Sequence, residues 1–91
     1  MAFALGLRYV DPADVRSWTV DWSGWLGTAQ IFSSAWGVPV GLTPGTAATT
    51  ATTASIFLSG YQVGQVYTVT NTIVTTAGET RRASFDIECR L

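Results

Sequence analysis

The sequence predicts an all-β fold, a small antiparallel two-sheet sandwich closed by a long C-terminal hairpin. Three observations carry that prediction. The last nine residues alternate apolar and polar without a break. Thr, Val, Ile and aromatic side chains, which fit a pleated and half-buried surface, dominate the chain with no helical spacing. Gly, Pro, Asn and Asp punctuate it roughly every 8–12 residues, the interval typical of sandwiches.

The final strand is the clearest element. Arg81, Ala83, Phe85, Ile87, Cys89 and Leu91 alternate with Arg82, Ser84, Asp86, Glu88 and Arg90. One face is nearly all apolar and the other wholly polar, so one side belongs to the core and the other meets water. Gln65–Thr75 precedes it as a partner strand with Tyr67, Val69 and Ile73 in phase, and Thr76-Ala77-Gly78-Glu79-Thr80 supplies the turn. Pairing Thr76 with Thr80 sets Tyr67 opposite Cys89, Val69 opposite Ile87 and Ile73 opposite Ala83. A one-residue slip would set Tyr67 and Val69 against Glu88 and Asp86. This register turns Asn71 inward opposite Phe85, where its amide needs partners, expected from a neighbouring loop backbone.

Upstream, Val15–Trp22 alternates Trp18, Val20 and Trp22 against Ser17, Thr19 and Asp21, a strand with a heavy aromatic face. Gly24 and Gly27 bracket Trp25-Leu26 in a turn. Gln30–Val38 is the next strand, with Phe32, Trp36 and Val38 in phase. Pro39 and Pro44 bound a break that contains Gly41 and Gly45, and Ser55–Ser59 is a short strand ended by Gly60. That makes five or six strands. Thr46–Ala54, built only of Thr and Ala, is either a β-prone edge strand or a loop. The domain proper spans residues 11–91, and Met1–Val10 is either its first strand or an arm that adds to a neighbour's sheet.

Composition narrows the function. A chain of 91 residues is one domain, and it buries only about 60–65% of its unfolded surface. Hydrophobic residues make up 47% of it and charged residues 12%, the latter half the usual share. So few charges leave part of the surface to Thr and Ser, or to another molecule. With net charge −1 and no basic stripe, nucleic-acid and polybasic membrane binding lose their electrostatic basis. No apolar run reaches a membrane span, and Met1–Leu7 lacks the basic start and cleavage site of a secretory signal. The single Cys89, on the apolar side of its strand, reads as a buried thiol in a protein made in a reducing cytosol.

Catalysis has no foothold. Without His or Lys the nucleophile–base triads cannot be built. Asp86 and Glu88 sit among Arg82 and Arg90 as a salt-bridged surface, and Asp11 and Asp14 flank Pro12 as turn formers. One Cys and no His exclude zinc sites of known spacing, and Asp11–Asp14 offers too few oxygens for calcium. No cofactor is expected. What remains is surface: Trp22, Ser23, Trp25 and Leu26 concentrate aromatic area in a Gly-bracketed stretch beside Trp18. Either all three indoles fill the core, or one ring at the turn stays partly exposed as a protein anchor or a sugar platform. Thr49, Thr50 and Thr52 of the Thr/Ala stretch, with Phe3, Leu5 and Leu7 of the N-terminal segment, complete the candidate interface.

The run Asp11-Pro12, then Trp18-Thr19-Val20-Asp21-Trp22-Ser23-Gly24-Trp25-Leu26, then Ile31–Pro39 with its Ser33-Ser34-Ala35-Trp36 resembles a family of small tailed-bacteriophage virion proteins. Leu58-Ser59-Gly60, Gly64–Asn71 and Thr76-Ala77-Gly78 extend the resemblance, which covers roughly Asp11 to Cys89. It implies an immunoglobulin-like domain and a virion component that binds capsid or tail proteins, made in the host cytoplasm. The leading expectation is a capsid decoration or cement protein, acting as a homo-oligomer on the particle. A tail, neck or fibre-adaptor component is the alternative, and a host-glycan adhesion module follows.

Overall fold

A computed structural model describes the backbone of residues 2–90 and the side chains of residues 8–90. Seven strands form two sheets: β1 (Ala2–Val10), β2 (Arg16–Asp21), β3 (Ile31–Gly37), β4 (Thr43–Thr49), β5 (Thr53–Ser59), β6 (Val66–Thr75) and β7 (Thr80–Cys89). One sheet has the order β1-β7-β6-β3 and the other β2-β5-β4. Leaving β1 aside, these are the C-F-G and B-E-D groupings of an immunoglobulin-type sandwich. The structure thus adds a strand to the five or six expected, and one pairing departs from the antiparallel scheme. β1 runs parallel to β7, with Phe3 opposite Ala83 and Val10 opposite Cys89. Residues 2–10 thus lie as the first strand of the chain's own sheet in this structure.

The core forms where the inward residues of both sheets meet. Trp18, Val20, Ile56 and Leu58 from one sheet pack on Tyr67, Val69, Ile73, Phe85, Ile87 and Cys89 from the other. The alternation of the last strand is realised as read: Ala83, Phe85, Ile87 and Cys89 are buried. Trp18 and Phe85 lie with centroids 5.5 Å apart, and Trp36 meets Phe85 edge-on at 6.4 Å. Burial pushes the Cys89 thiol above its ordinary pKa, so it stays protonated and inert.

The closing hairpin keeps its expected faces but not its expected register. Tyr67 pairs with Ile87, Val69 with Phe85, Asn71 with Ala83 and Ile73 with Arg81, two residues away from the sequence-based pairing. The turn decides this. Thr75 N–H donates to Glu79 O at 2.8 Å and Gly78 N–H to Thr75 O at 2.9 Å, leaving a three-residue loop whose last member is Gly78 at φ 83°. That left-handed position ends the common three-residue hairpin loop, and glycine occupies it without steric cost. The expected register would have placed Glu79 there.

Four further expectations are corrected. A bulge between Ile31 and Ser33 gives β3 an extra residue, so Phe32 turns outward while Trp36 and Val38 pack on the core. Thr46–Ala54 is edge strand and turn together: it ends β4, turns at Thr50–Thr52 and opens β5 at Thr53, two residues earlier than expected. Pro44 lies within β4 and does not bound the break; β4 is an edge strand, where the missing N–H costs no ladder bond. The Trp25-Leu26 turn is also a short helix, α1 (Ser23–Leu26), in a chain expected to have none.

Candidate protein interface

The candidate surface starts from the end of β2. Its alternation carries Trp22 into the core, where the ring is fully buried. A buried indole N–H needs an acceptor, and Trp22 Nε1 donates to Asn71 Oδ1 at 2.9 Å. Asn71 Nδ2 in turn donates to Ser34 Oγ (2.9 Å) and Ala35 O (3.1 Å). The inward asparagine is thus structural, but it serves an indole and strand β3 instead of a loop. It ties β6 to both sheets.

Once Trp22 is anchored, the chain must turn within a few residues to reach β3. The Asp21 carboxylate accepts a bond from Ser23 N–H at 2.9 Å, a local turn that starts α1, and that bond holds its pKa below the usual carboxylate range. Trp25 N–H and Leu26 N–H both donate to Trp22 O, and Gly27 leaves the helix at φ 60°. The four-residue helix turns Leu26 inward and Trp25 outward: Leu26 is buried, and Trp25 remains 49% exposed.

Two other connections are bonded to this one. Trp22 N–H donates to Thr52 O (2.8 Å) and Ile31 N–H to Ala51 O (2.9 Å), fixing the β4–β5 turn against α1 and β3. Thr76 N–H donates to Gln30 O, and Gln30 N–H to Thr76 Oγ1, which docks the β6–β7 turn on the same end. Thr50 Oγ1 closes its own turn by accepting from Thr53 N–H at 3.0 Å. One end of the sandwich is therefore a rigid platform of three connections: α1 with Ser23 and Trp25, the turn with Thr50 and Thr52, and the Thr76–Gly78 loop.

Of the sequence-predicted residues, the structure brings Ser23, Trp25, Thr49, Thr50 and Thr52 together on this end, all exposed. Trp22 and Leu26 lie beneath it and support it from the core. The side chains of Phe3, Leu5 and Leu7 fall outside the described residues. Their backbone belongs to β1, which begins at the platform end because Ala2 pairs with Arg82, just past the β6–β7 turn. Sequence reasoning missed Phe32, which the bulge leaves 76% exposed, and Phe57, half-exposed on the outer face of β5. Nothing in the residue pattern marks that bulge.

Asp11 and Asp14 shape their turn as expected, through Ala13 N–H to Asp11 Oδ1 and Asp11 N–H to Asp14 Oδ2. Glu88 pairs with Arg90, and Asp86 accepts from Thr68 Oγ1. Among the described residues no three His, Cys, Asp or Glu side chains converge as metal ligands. Among the described residues no helix is long and apolar enough to cross a membrane. A small cleft lined by Arg8, Trp18, Thr19 and Phe85 opens between β1 and β2.

One end of the sandwich thus presents Ser23, Trp25, Thr50 and Thr52 exposed. Residues 11–88 match the family of the podophage GP4 fiber-tail adaptor protein gp77. The chain belongs to this family. The gp77 family is one of phage structural proteins, and the match takes in every strand from β2 to β7 and all three connections of the platform. It favours the tail, neck or fibre-adaptor alternative over capsid decoration, which it does not support. No curated protein matches the sequence. Among solved structures the chain resembles part of the 2,6-sialyltransferase of Vibrionaceae Photobacterium sp. JT-ISH-224. The TM-score is 0.62 at 7% identity, over 99% of this chain and 18% of that one. At that identity the likeness concerns the fold alone.

Proposed function

We propose that this gp77-family protein is a non-enzymatic adaptor of the phage virion that joins tail and fibre proteins, with the three-connection platform as its docking end. The observation that carries the reading is the family match, whose span contains the whole platform. The platform itself supports it: Trp25 stands half-exposed on a short helix beside exposed Ser23 and Gly24, and the bond from Trp22 N–H to Thr52 O brings the exposed Thr50–Thr52 turn to the same end. A large aromatic on a rigid base, surrounded by small polar residues, is the usual make-up of a protein–protein anchor. Rigidity matters because three backbone bonds hold the platform before any partner arrives, which lowers the ordering cost of binding.

Mass spectrometry of separated heads and tails tests the location: the protein is expected in the tail fraction, and recovery with heads alone refutes the reading. Trp25→Ala tests the platform. Its loss of tail binding is expected at about 2 kcal/mol or more, the range of an aromatic hot spot, with an unchanged circular dichroism spectrum. Full retention of binding would move the docking surface elsewhere.

A further inference from the structure

Every charged residue of the chain lies between Arg8 and Asp21 or between Glu79 and Arg90. The fold converts this division along the sequence into a division in space. β1, β2, β7, the Asp11–Asp14 turn and the two residues flanking β7, Glu79 and Arg90, carry all the charges, whereas β3, β4, β5 and β6 carry none. β3 is the last strand of one sheet and β4 the last strand of the other. The bond from Ile31 N–H to Ala51 O sets these two edges side by side. One long side of the sandwich is therefore free of charge.

Edge strands ordinarily discourage pairing with charged residues, proline or bulges. Here Pro44 and the bulge before Ala47 blunt the start of β4, and the bulge at Phe32 blunts the start of β3. Beyond these, Ser33–Gly37 and Ala47–Thr49 run on regularly, and every residue of β4 is exposed. Phe32 and Phe57 stand exposed beside the two edges. The opposite side of the sandwich is protected differently, with Arg8 on β1 and Arg16 on β2.

We propose that the charge-free side formed by β3 and β4 seats a second copy of this chain, edge strand against edge strand. Charge matching selects this occupant. A surface without charge offers nothing to a charged partner, which would lose hydration there without compensation. The same side of another copy is equally uncharged and presents complementary strand edges, the self-matching contact of a two-fold dimer. Length agrees as well: β3 and β4 are seven residues each, so a two-fold partner meets strand edges of equal length, about 23 Å. The charged sides of both copies then face away from each other into solvent. This inference does not depend on the adaptor reading, because it concerns a different surface.

Sedimentation velocity of the purified full chain at about 100 μM, above the micromolar end of the range for such interfaces, tests the proposal. The wild type is expected to be a dimer whose dissociation constant changes less than about threefold between roughly 50 mM and 500 mM NaCl, since no ion pair is screened. Phe32→Arg combined with Ala48→Arg should give a monomer with unchanged circular dichroism, while the control Asp86→Lys/Glu88→Lys stays dimeric. A monomeric wild type, a dimer that salt dissolves, or a dimer that survives the double arginine variant overturns it. A monomer that loses binding to isolated tails on the same substitutions would also overturn it, assigning this side to a tail protein. Retained dimerisation in a chain absent from tails would reject the adaptor reading and leave this one standing.

Discussion

Trp22 Nε1 and Asn71 Oδ1 meet at 2.9 Å inside the sandwich, each residue fully buried, and join the end of β2 to the middle of β6. The bond is worth more to the fold than its neutral character suggests. Its loss strands an indole N–H or an amide where no water reaches, and that desolvation penalty exceeds the net value of the bond. Asn71→Leu keeps the approximate volume and removes the acceptor. It should destabilise the domain by about 1–3 kcal/mol, read as a fall in urea midpoint without a change in slope. Adding Trp22→Phe removes the stranded donor, so the double variant should be less destabilised than the sum of the two singles. Additivity within about 0.5 kcal/mol would show that the pair is not coupled.

Tyr61 predicts an alkaline limb to the stability curve. Its hydroxyl accepts from Trp18 Nε1 at 2.9 Å and donates to Leu58 O at 3.2 Å, and burial raises its pKa above the ordinary tyrosine value. The folded protein therefore holds the proton more tightly than the unfolded chain. That contribution is fully present below the unfolded pKa near 10 and is lost as pH rises through the folded value. Stability measured by urea unfolding should fall between about pH 9 and pH 11. Tyr61→Phe should be less stable at neutral pH and show a shallower alkaline fall. An unchanged alkaline slope in that variant would assign the effect to another group.

Gly78 and Gly24 predict opposite signs for the same substitution. A Cβ would meet no atom within 4 Å at either position, so packing is not in play. Gly78 sits at φ 83°, and Gly78→Ala should cost about 1–2 kcal/mol in backbone strain, with Gly78→Asn costing less. Gly24 lies within α1 at a negative φ, and Gly24→Ala should stabilise by about 0.4–1 kcal/mol by restricting the unfolded chain. Thermal melting of the two variants checks both signs at once.

The charged face of the closing hairpin should be dispensable for assembly. Arg82, Asp86 and Glu88 lie on the outer side of β7 and Arg90 just past its end, and two of the acids have partners within the chain: Thr68 for Asp86, and Arg90 for Glu88. Exposed pairs of this kind contribute at most about 1 kcal/mol. Asp86→Lys/Glu88→Lys should leave binding to tails within about twofold of wild type, measured by co-sedimentation at physiological salt. Complete loss of binding would place the contact on β7.

Much of the architecture was legible because burial writes a period of two into the chain. Phe85, Ile87 and Cys89 could point only one way, and Asp86 and Glu88 only the other. The same logic set Trp18, Val20 and Trp22 on one face and made Asn71 an inward residue in need of partners, but it left open whether Trp22 was core or surface, and the structure buries it. A period of two is blind to shifts of two, however, so the hairpin register slipped past it and was decided by the left-handed position that Gly78 takes. Phe32 escaped for a related reason, since one inserted residue reverses a strand's phase without altering its composition. The candidate interface was half legible. Trp25 and the threonines were recognisable as surface, but their convergence depends on long-range bonds from Trp22 to Thr52 and from Ile31 to Ala51.

The parallel pairing of β1 with β7 gives the domain a mechanical direction. β1 enters the sheet beside the β6–β7 turn and β7 leaves it at the far end, so the two strands run side by side in the same direction, with the start of β1 and the end of β7 at opposite ends of the sheet. Tension applied at the start of β1 and the end of β7 pulls the strands past one another and loads their slanted hydrogen bonds together. An antiparallel pair pulled from adjacent ends would open one bond at a time. The terminal strands are thus arranged to resist stretching in shear, and the force needed to separate them should exceed that for peeling β4 from β5, whose free ends meet across a turn.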